Sequence, residues 1–259
     1  MSKNKVIRIF LYVMFISLIV GSSILLYNSF IKDSYVVQPE ENEKSLDELT
    51  QNSDQGLIIN ADIVKMSADV DLDAERKKHN NPDIVGRLEI PGLFNVLLTK
   101  TSDNKYYLDR NIDRKKDVKG ATYLDYRTGV TANQINIYGH NSRVEKIDVP
   151  FRRLEKFLDK TFFDANPYIV LQYDGGKRVY KITSIKEIHQ NENEHMKIDF
   201  TGDSFVKHIE VLRTNANQKR DVPLDQYSKV IVLQTCSHHW KNAYYIVTGI
   251  SIDFMVAKD

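Results

Sequence analysis

The chain has 259 residues, with 36 Lys and Arg against 35 Asp and Glu and a formal net charge of +1. That balance gives no bulk electrostatic case for nucleic acid, and no nucleic-acid partner is expected. A single cysteine, Cys236, excludes an internal disulfide framework.

Residues 9–27 carry no charge. About 19 residues rising about 1.5 Å each make a helix of roughly 28 Å, enough for a hydrocarbon core. Lys3, Lys5 and Arg8 precede it, which directs the N-terminus to the cytoplasm and the rest of the chain outside. Small residues at Gly21-Ser-Ser23 resemble a cleavage site, but Ile24-Leu-Leu-Tyr27 continues the apolar run past them. The segment is also long for a signal-peptide core, so residues 1–30 are expected to be an uncleaved single-pass membrane anchor. Residues 31–56 are polar and acidic and read as an extracellular stalk. Residues 57–259 are long enough for one sizeable core.

Within that domain, Ile59, Ile63, Val64 and Met66 fall at helical spacing, which predicts a helix over 59–73, continued or followed by another up to 81. Ile84, Gly86, Leu88 and Ile90 then alternate as a strand, ended by Pro91-Gly92. Strands follow over 94–99, 120–124 and 133–138, with a short element at 106–108. Residues 151–158 place Phe151, Leu154, Phe157 and Leu158 on one helical face. Residues 168–173 and 178–182 flank Gly175-Gly176 as a hairpin. A helix within 200–213 carries Phe205, Ile209 and Leu212 on one face, and a polar loop runs to 227. Two strands around Cys236 close the chain. Seven or eight strands joined mostly by turns, with few helices, predict a mainly β barrel or sandwich.

Val230-Ile-Val-Leu233 runs straight into Gln234-Thr235-Cys236, so the thiol stands at a strand end. His140, in Ile135-Asn-Ile-Tyr-Gly-His140, ends another strand. A thiol and an imidazole far apart in sequence, each aimed by a strand, suit a nucleophile and its acid/base partner. The competing readings are a buried structural cysteine and a loop histidine capping a turn. Cys236, His238 and His239 also lie close together, but their spacing lacks the usual two-plus-two ligand pattern, so no metal is expected. His189, His195 and His208 fall in polar stretches and read as solvated; Asp125 and Arg127 read as a turn network.

The anchor, the stalk, the mainly β domain, Gly139-His140-Asn141 and Leu233-Gln-Thr235-Cys236 together resemble the sortases of Gram-positive bacteria. The family's Thr-Leu-x-Thr-Cys stands here as Val232-Leu233-Gln234-Thr235-Cys236. Tyr106-Tyr-Leu-Asp-Arg-Asn111, Gly120-Ala-Thr-Tyr-Leu-Asp-Tyr-Arg127, Phe151-Arg-Arg-Leu154, the N-terminal helical segment and the helix before the Cys strand are similar to class B. The resemblance implies a closed sortase β-barrel of seven or eight strands, with N-terminal helices and a helix inserted before the Cys strand. It implies a cysteine transpeptidase without a cofactor. Such an enzyme cleaves a surface protein's C-terminal sorting signal after Thr, holds it as a thioester and passes it to a peptidoglycan-precursor amine or a pilin lysine. Cys236 carries over as nucleophile and His140 as acid/base; Thr235, Gln234, Asn111, Leu108 and Ser237 are candidate substrate contacts.

The family places an Arg eight to ten residues after the Cys. Here no Arg follows Cys236, and Tyr244 stands at that position. Three outcomes stay open: Tyr244 or Tyr245 donates in its place, a cation such as Lys241, Arg143 or Arg213 reaches the site, or the chain is a degenerate module that binds sorting signals or wall components with little catalysis.

Overall fold

The computed structural model describes residues 67–144 and 147–252. The anchor, the stalk and the first part of the 59–73 helix lie outside the described residues. No described helix is long and apolar enough to cross a membrane.

In chain order the elements are α1 (Leu72–Lys78), β1 (Ile84–Ile90), β2 (Phe94–Thr99), β3 (Tyr123–Leu124), β4 (Gln134–Tyr138), α2 (Lys160–Ala165), β5 (Tyr168–Tyr173), β6 (Gly176–His189), α3 (Gly202–Arg213), β7 (Gln218–Lys219), β8 (Val230–Ser237) and β9 (Ala243–Ser251). The strands hydrogen-bond in the order β5-β1-β2-β3-β4-β8-β9-β6-β7, and β5 also pairs with β6. That last pairing closes eight strands into a barrel and leaves β7 outside the ring, so the expected barrel is the architecture found and a sandwich is not. The β2–β3 and β4–β8 pairs are parallel, and the other pairs in the ring are antiparallel.

Strand alternation sorts the residues of β4, β8 and β9 onto two faces. Ile135, Ile137, Ile231, Leu233, Tyr245 and Val247 point into the barrel, where they pack with Leu88, Leu98 and Leu124. Val230, Val232, Ile246 and Ile250 point outward and are covered by Phe205, Ile209 and Leu212 of α3. Burying each of those three side chains contributes roughly 2 kcal/mol, which holds the inserted helix on the outer wall. The helix starts with a capping box between Thr201 and Ser204.

Several expectations need correction. The described part of the N-terminal helical segment carries no helix at 67–70; the helix begins at Leu72, because Asp71 caps it by accepting from Ala74 N at 2.9 Å. The strand expected at 178–182 continues to His189. The strand expected at 120–124 is only two residues long. The short helix expected at 151–158 is present as a 3-10 helix over Pro150–Leu158, and the short element at 106–108 is another. His195 and His208 are buried, not solvated. The Asp125–Arg127 network is present: Arg127 donates to Asp125 through Nε at 2.9 Å and Nη2 at 2.7 Å, and the Tyr138 hydroxyl donates to Asp125 Oδ2 at 2.7 Å. Burial pushes the Asp125 carboxyl up, but these hydrogen bonds outweigh it and hold its pKa down at about 2.

Candidate active site

The parallel pairing of β4 with β8 brings His140 and Cys236 together. Tyr138 lies opposite Gln234 in the ladder. The pairing then continues past β4: Gly139 N donates to Gln234 O at 3.2 Å and Thr235 Oγ1 donates to Gly139 O at 2.8 Å. Asn141 Nδ2 donates to Cys236 O at 2.7 Å. His140 and Cys236 therefore each stand two residues beyond the last paired position, on neighbouring strands. Across the antiparallel β8–β9 pair, Cys236 faces Tyr244 directly. The row His140, Cys236, Tyr244 lies on the outer face of the barrel, just past the patch that α3 covers.

Two glycines fit the backbone around this row, one against the core and one against His140. A Cβ on Gly139 would meet the Phe151 ring at 2.5 Å. Gly120 has φ +60, and a Cβ there would lie 2.4 Å from Tyr107 O and 2.8 Å from His140 Cδ2. The backbone at Gly120 thus supports the edge of the imidazole.

His140 Nε2 lies 2.7 Å from Leu108 O. A carbonyl only accepts, so Nε2 carries the proton in the neutral ring and Nδ1 keeps a free lone pair. The Cys236 thiol is open to solvent, and it is the one free cysteine. Burial of its surroundings pushes its pKa up, and no described cation offsets this. Near neutral pH the sulfur is a protonated thiol, and catalysis by it requires a base.

Tyr244 is half-buried and its ring meets the edge of His195, with centroids 6.5 Å apart. Burial and the neighbouring Cys236 both push its hydroxyl pKa up, which keeps it a neutral donor. Tyr123, opposite Tyr138 in the β3–β4 pair, is a second phenol on this face. Burial raises its pKa first, and Asp125, Cys236 and Tyr244 add to the shift. Its place beside the thiol follows from strand register, which the sequence alone does not supply.

The other site candidates separate by strand face. Gln234 shares the face of Cys236, and its Oε1 accepts from His195 Nε2 at 2.7 Å. Thr235 and Ser237 alternate to the opposite face and are buried. Thr235 ties β8 to Gly139, and the Ser237 hydroxyl bonds to Glu187, so both hold the frame instead of lining the groove. Leu108 is exposed beside His140 and supplies the carbonyl that orients it. Asn111 Oδ1 accepts from the backbone N–H of Asp113 and Lys115, which makes it a turn residue. Arg213 is buried at the end of α3 against Glu210 and Arg220 O, away from the thiol row. Arg143 Nε donates to His238 Nδ1 at 3.2 Å. His239 lies 3.5 Å from Glu187. Among the described residues no group of three His, Cys, Asp or Glu side chains is placed to hold a metal ion.

A family model described as Sortase domain matches residues 95–250, a span that holds both His140 and Cys236. The chain belongs to the sortase family. Its fold is that of the class B members. Clostridium perfringens sortase B is 25% identical with a TM-score of 0.64, over 70% of this chain and 100% of that one. A Staphylococcus aureus sortase B–substrate complex is 21% identical with a TM-score of 0.62, over 70% of this chain and 84% of that one. A Streptococcus pyogenes class B sortase involved in pilus biogenesis is 20% identical with a TM-score of 0.61, over 70% of this chain and 98% of that one. No curated protein matches the sequence. Family and fold together support a cysteine transpeptidase role.

Proposed function

We propose that this chain is a membrane-anchored transpeptidase that cleaves a C-terminal sorting signal after Thr and holds the product as a thioester on Cys236. It then transfers the product to an amine of a peptidoglycan precursor. The observation that carries this is the row His140, Cys236, Tyr244 across three neighbouring strands, open on the barrel's outer face. In the first half-reaction His140 Nδ1 takes the thiol proton and the sulfur attacks the scissile carbonyl carbon. The Tyr244 hydroxyl donates to the oxygen as it gains negative charge. The tetrahedral adduct collapses, the C–N bond breaks, and the imidazolium returns the proton to the leaving amine. In the second, the acceptor amine attacks the thioester, its proton passes to His140, and the sulfur leaves and is reprotonated. The apolar run at 9–27 and the bases before it support anchoring, with the catalytic domain outside the cell.

One observation favours a second reading. Tyr244 brings no fixed charge where the family keeps Arg, so the chain fits a module that binds sorting signals without turnover. Full-length protein in neutral detergent, assayed against peptides of the Asn-Pro-x-Thr and Leu-Pro-x-Thr types, separates the two. Turnover that disappears in Cys236→Ala, with the fold retained, is the expected result. Binding without cleavage establishes the second reading.

A further inference from the structure

Beside the thiol, on the side of the β8–β9 turn, lies an open pocket of about 480 Å³ lined by Asn141, Arg143, Arg152, His238, Trp240 and Lys241, among others. Its charge is unusual for this molecule. Arg76, Arg87, Arg110, Arg127, Arg153 and Arg213 each contact a carboxylate. Arg143, Arg152 and Lys241 contact none among the described residues, although all three face one cavity. Glu155 is the one acid among the described lining residues, which keep a positive excess. Arg143 donates to His238 Nδ1 at 3.2 Å, which holds its guanidinium against the pocket wall. Pocket and nucleophile share a wall, because Asn141 donates to the Cys236 carbonyl and His238 follows two residues after the thiol.

We infer that this pocket binds an anionic group, a carboxylate or phosphate, on the incoming acceptor, so that the preferred acceptor is an amine that also carries negative charge. The inference deepens the transpeptidase reading and rests on it. An anion held by Arg152 and Lys241 keeps the acceptor amine next to the thioester, which raises the effective concentration of the nucleophile over water. The neighbouring thiol favours an acceptor over a membrane surface as the source of the anion.

The chain's single tryptophan, Trp240, lines the pocket and reports on it directly. The full chain in neutral-lipid nanodiscs is titrated with an N-acetylated tripeptide ending in a free carboxylate, with its amide, with inorganic phosphate and with anionic lipid vesicles. Saturable fluorescence change with carboxylate and phosphate, none with the amide, and about tenfold weaker binding in Arg152→Ala/Lys241→Ala are expected. Equal response to carboxylate and amide, or response to vesicles alone, overturns the inference. In the catalytic arm, the double variant keeps the wild-type rate of thioester hydrolysis and of transfer to an amidated amine peptide. Transfer to the free-carboxylate peptide falls about tenfold. A loss shared by both acceptors, or by neither, overturns it. Failure of the wild type to form any thioester removes the transpeptidase reading, and the fluorescence arm then decides the anion site alone.

Discussion

Replacing Tyr244 with Arg restores a cation opposite Cys236, and the structure sets the size of the effect. Facing residues of an antiparallel pair have Cα atoms about 4.5–5.5 Å apart, which lets a flexible Arg side chain at 244 bring its guanidinium to about 5 Å from the sulfur. Two unit charges at that distance interact by about 3 kcal/mol at an effective dielectric of 20 and by just under 1 kcal/mol in water. The thiol is open to solvent, which places the gain near the lower end, at about 1.4 kcal/mol, or about tenfold more thiolate at pH 7. A more stable thiolate is a weaker nucleophile, and a Brønsted slope of about 0.4–0.5 takes back about threefold. Alkylation of Cys236 by iodoacetamide at pH 7 is therefore expected to run about threefold faster in Tyr244→Arg. Tyr227→Arg, at an exposed loop position outside the thiol row, is expected to leave it unchanged. Tyr244→Phe removes only the hydroxyl; it should leave alkylation near wild type and lower peptide cleavage about tenfold or more, as the loss of an oxyanion donor does. A folded Tyr244→Arg protein that alkylates no faster than wild type refutes the placement of residue 244 beside the sulfur.

Further outcomes follow from the frame around the row. Gly120→Ala puts a Cβ against Tyr107 O and the His140 ring at positive φ, so a loss of about 2 kcal/mol in urea unfolding is expected, together with a fall in peptide cleavage. Asp125, held at about 2 in the folded protein, contributes stability that is present above the unfolded value of about 3.9 and is lost as pH falls towards 2. Asp125→Asn is therefore expected to cost about 2 kcal/mol at pH 7, with the gap to wild type closing between about pH 4 and 2 in urea titrations.

Cys236 and His140 were legible as site candidates in the sequence because each follows a strand pattern: Val230-Ile-Val-Leu233 before Cys236, and Ile135-Asn-Ile-Tyr138 before His140. Their adjacency was not, since it depends on a parallel ladder between residues nearly a hundred positions apart. The full length of β6 was hidden by a register shift between Ile182 and Ser184, which breaks the period of two that marks a strand. His195 and His208 sit in polar sequence, and their burial depends on distant partners, Gln234 for His195 and Gln134 for His208. Thr235 and Ser237, next to the thiol in sequence, face away from it in space, because neighbours on a strand point to opposite sides. Tyr244 was legible only by counting from Cys236, and the hairpin register gives that count its meaning.

The most direct test of the central claim is the intact mass of the full chain after brief reaction with a cleavable sorting-signal peptide and acid quench. A transpeptidase acting through Cys236 leaves an adduct equal to the peptide's fragment up to Thr, located on Cys236, released by hydroxylamine and missing in Cys236→Ala. A folded protein that binds the peptide, carries no such adduct and releases no product contradicts that claim.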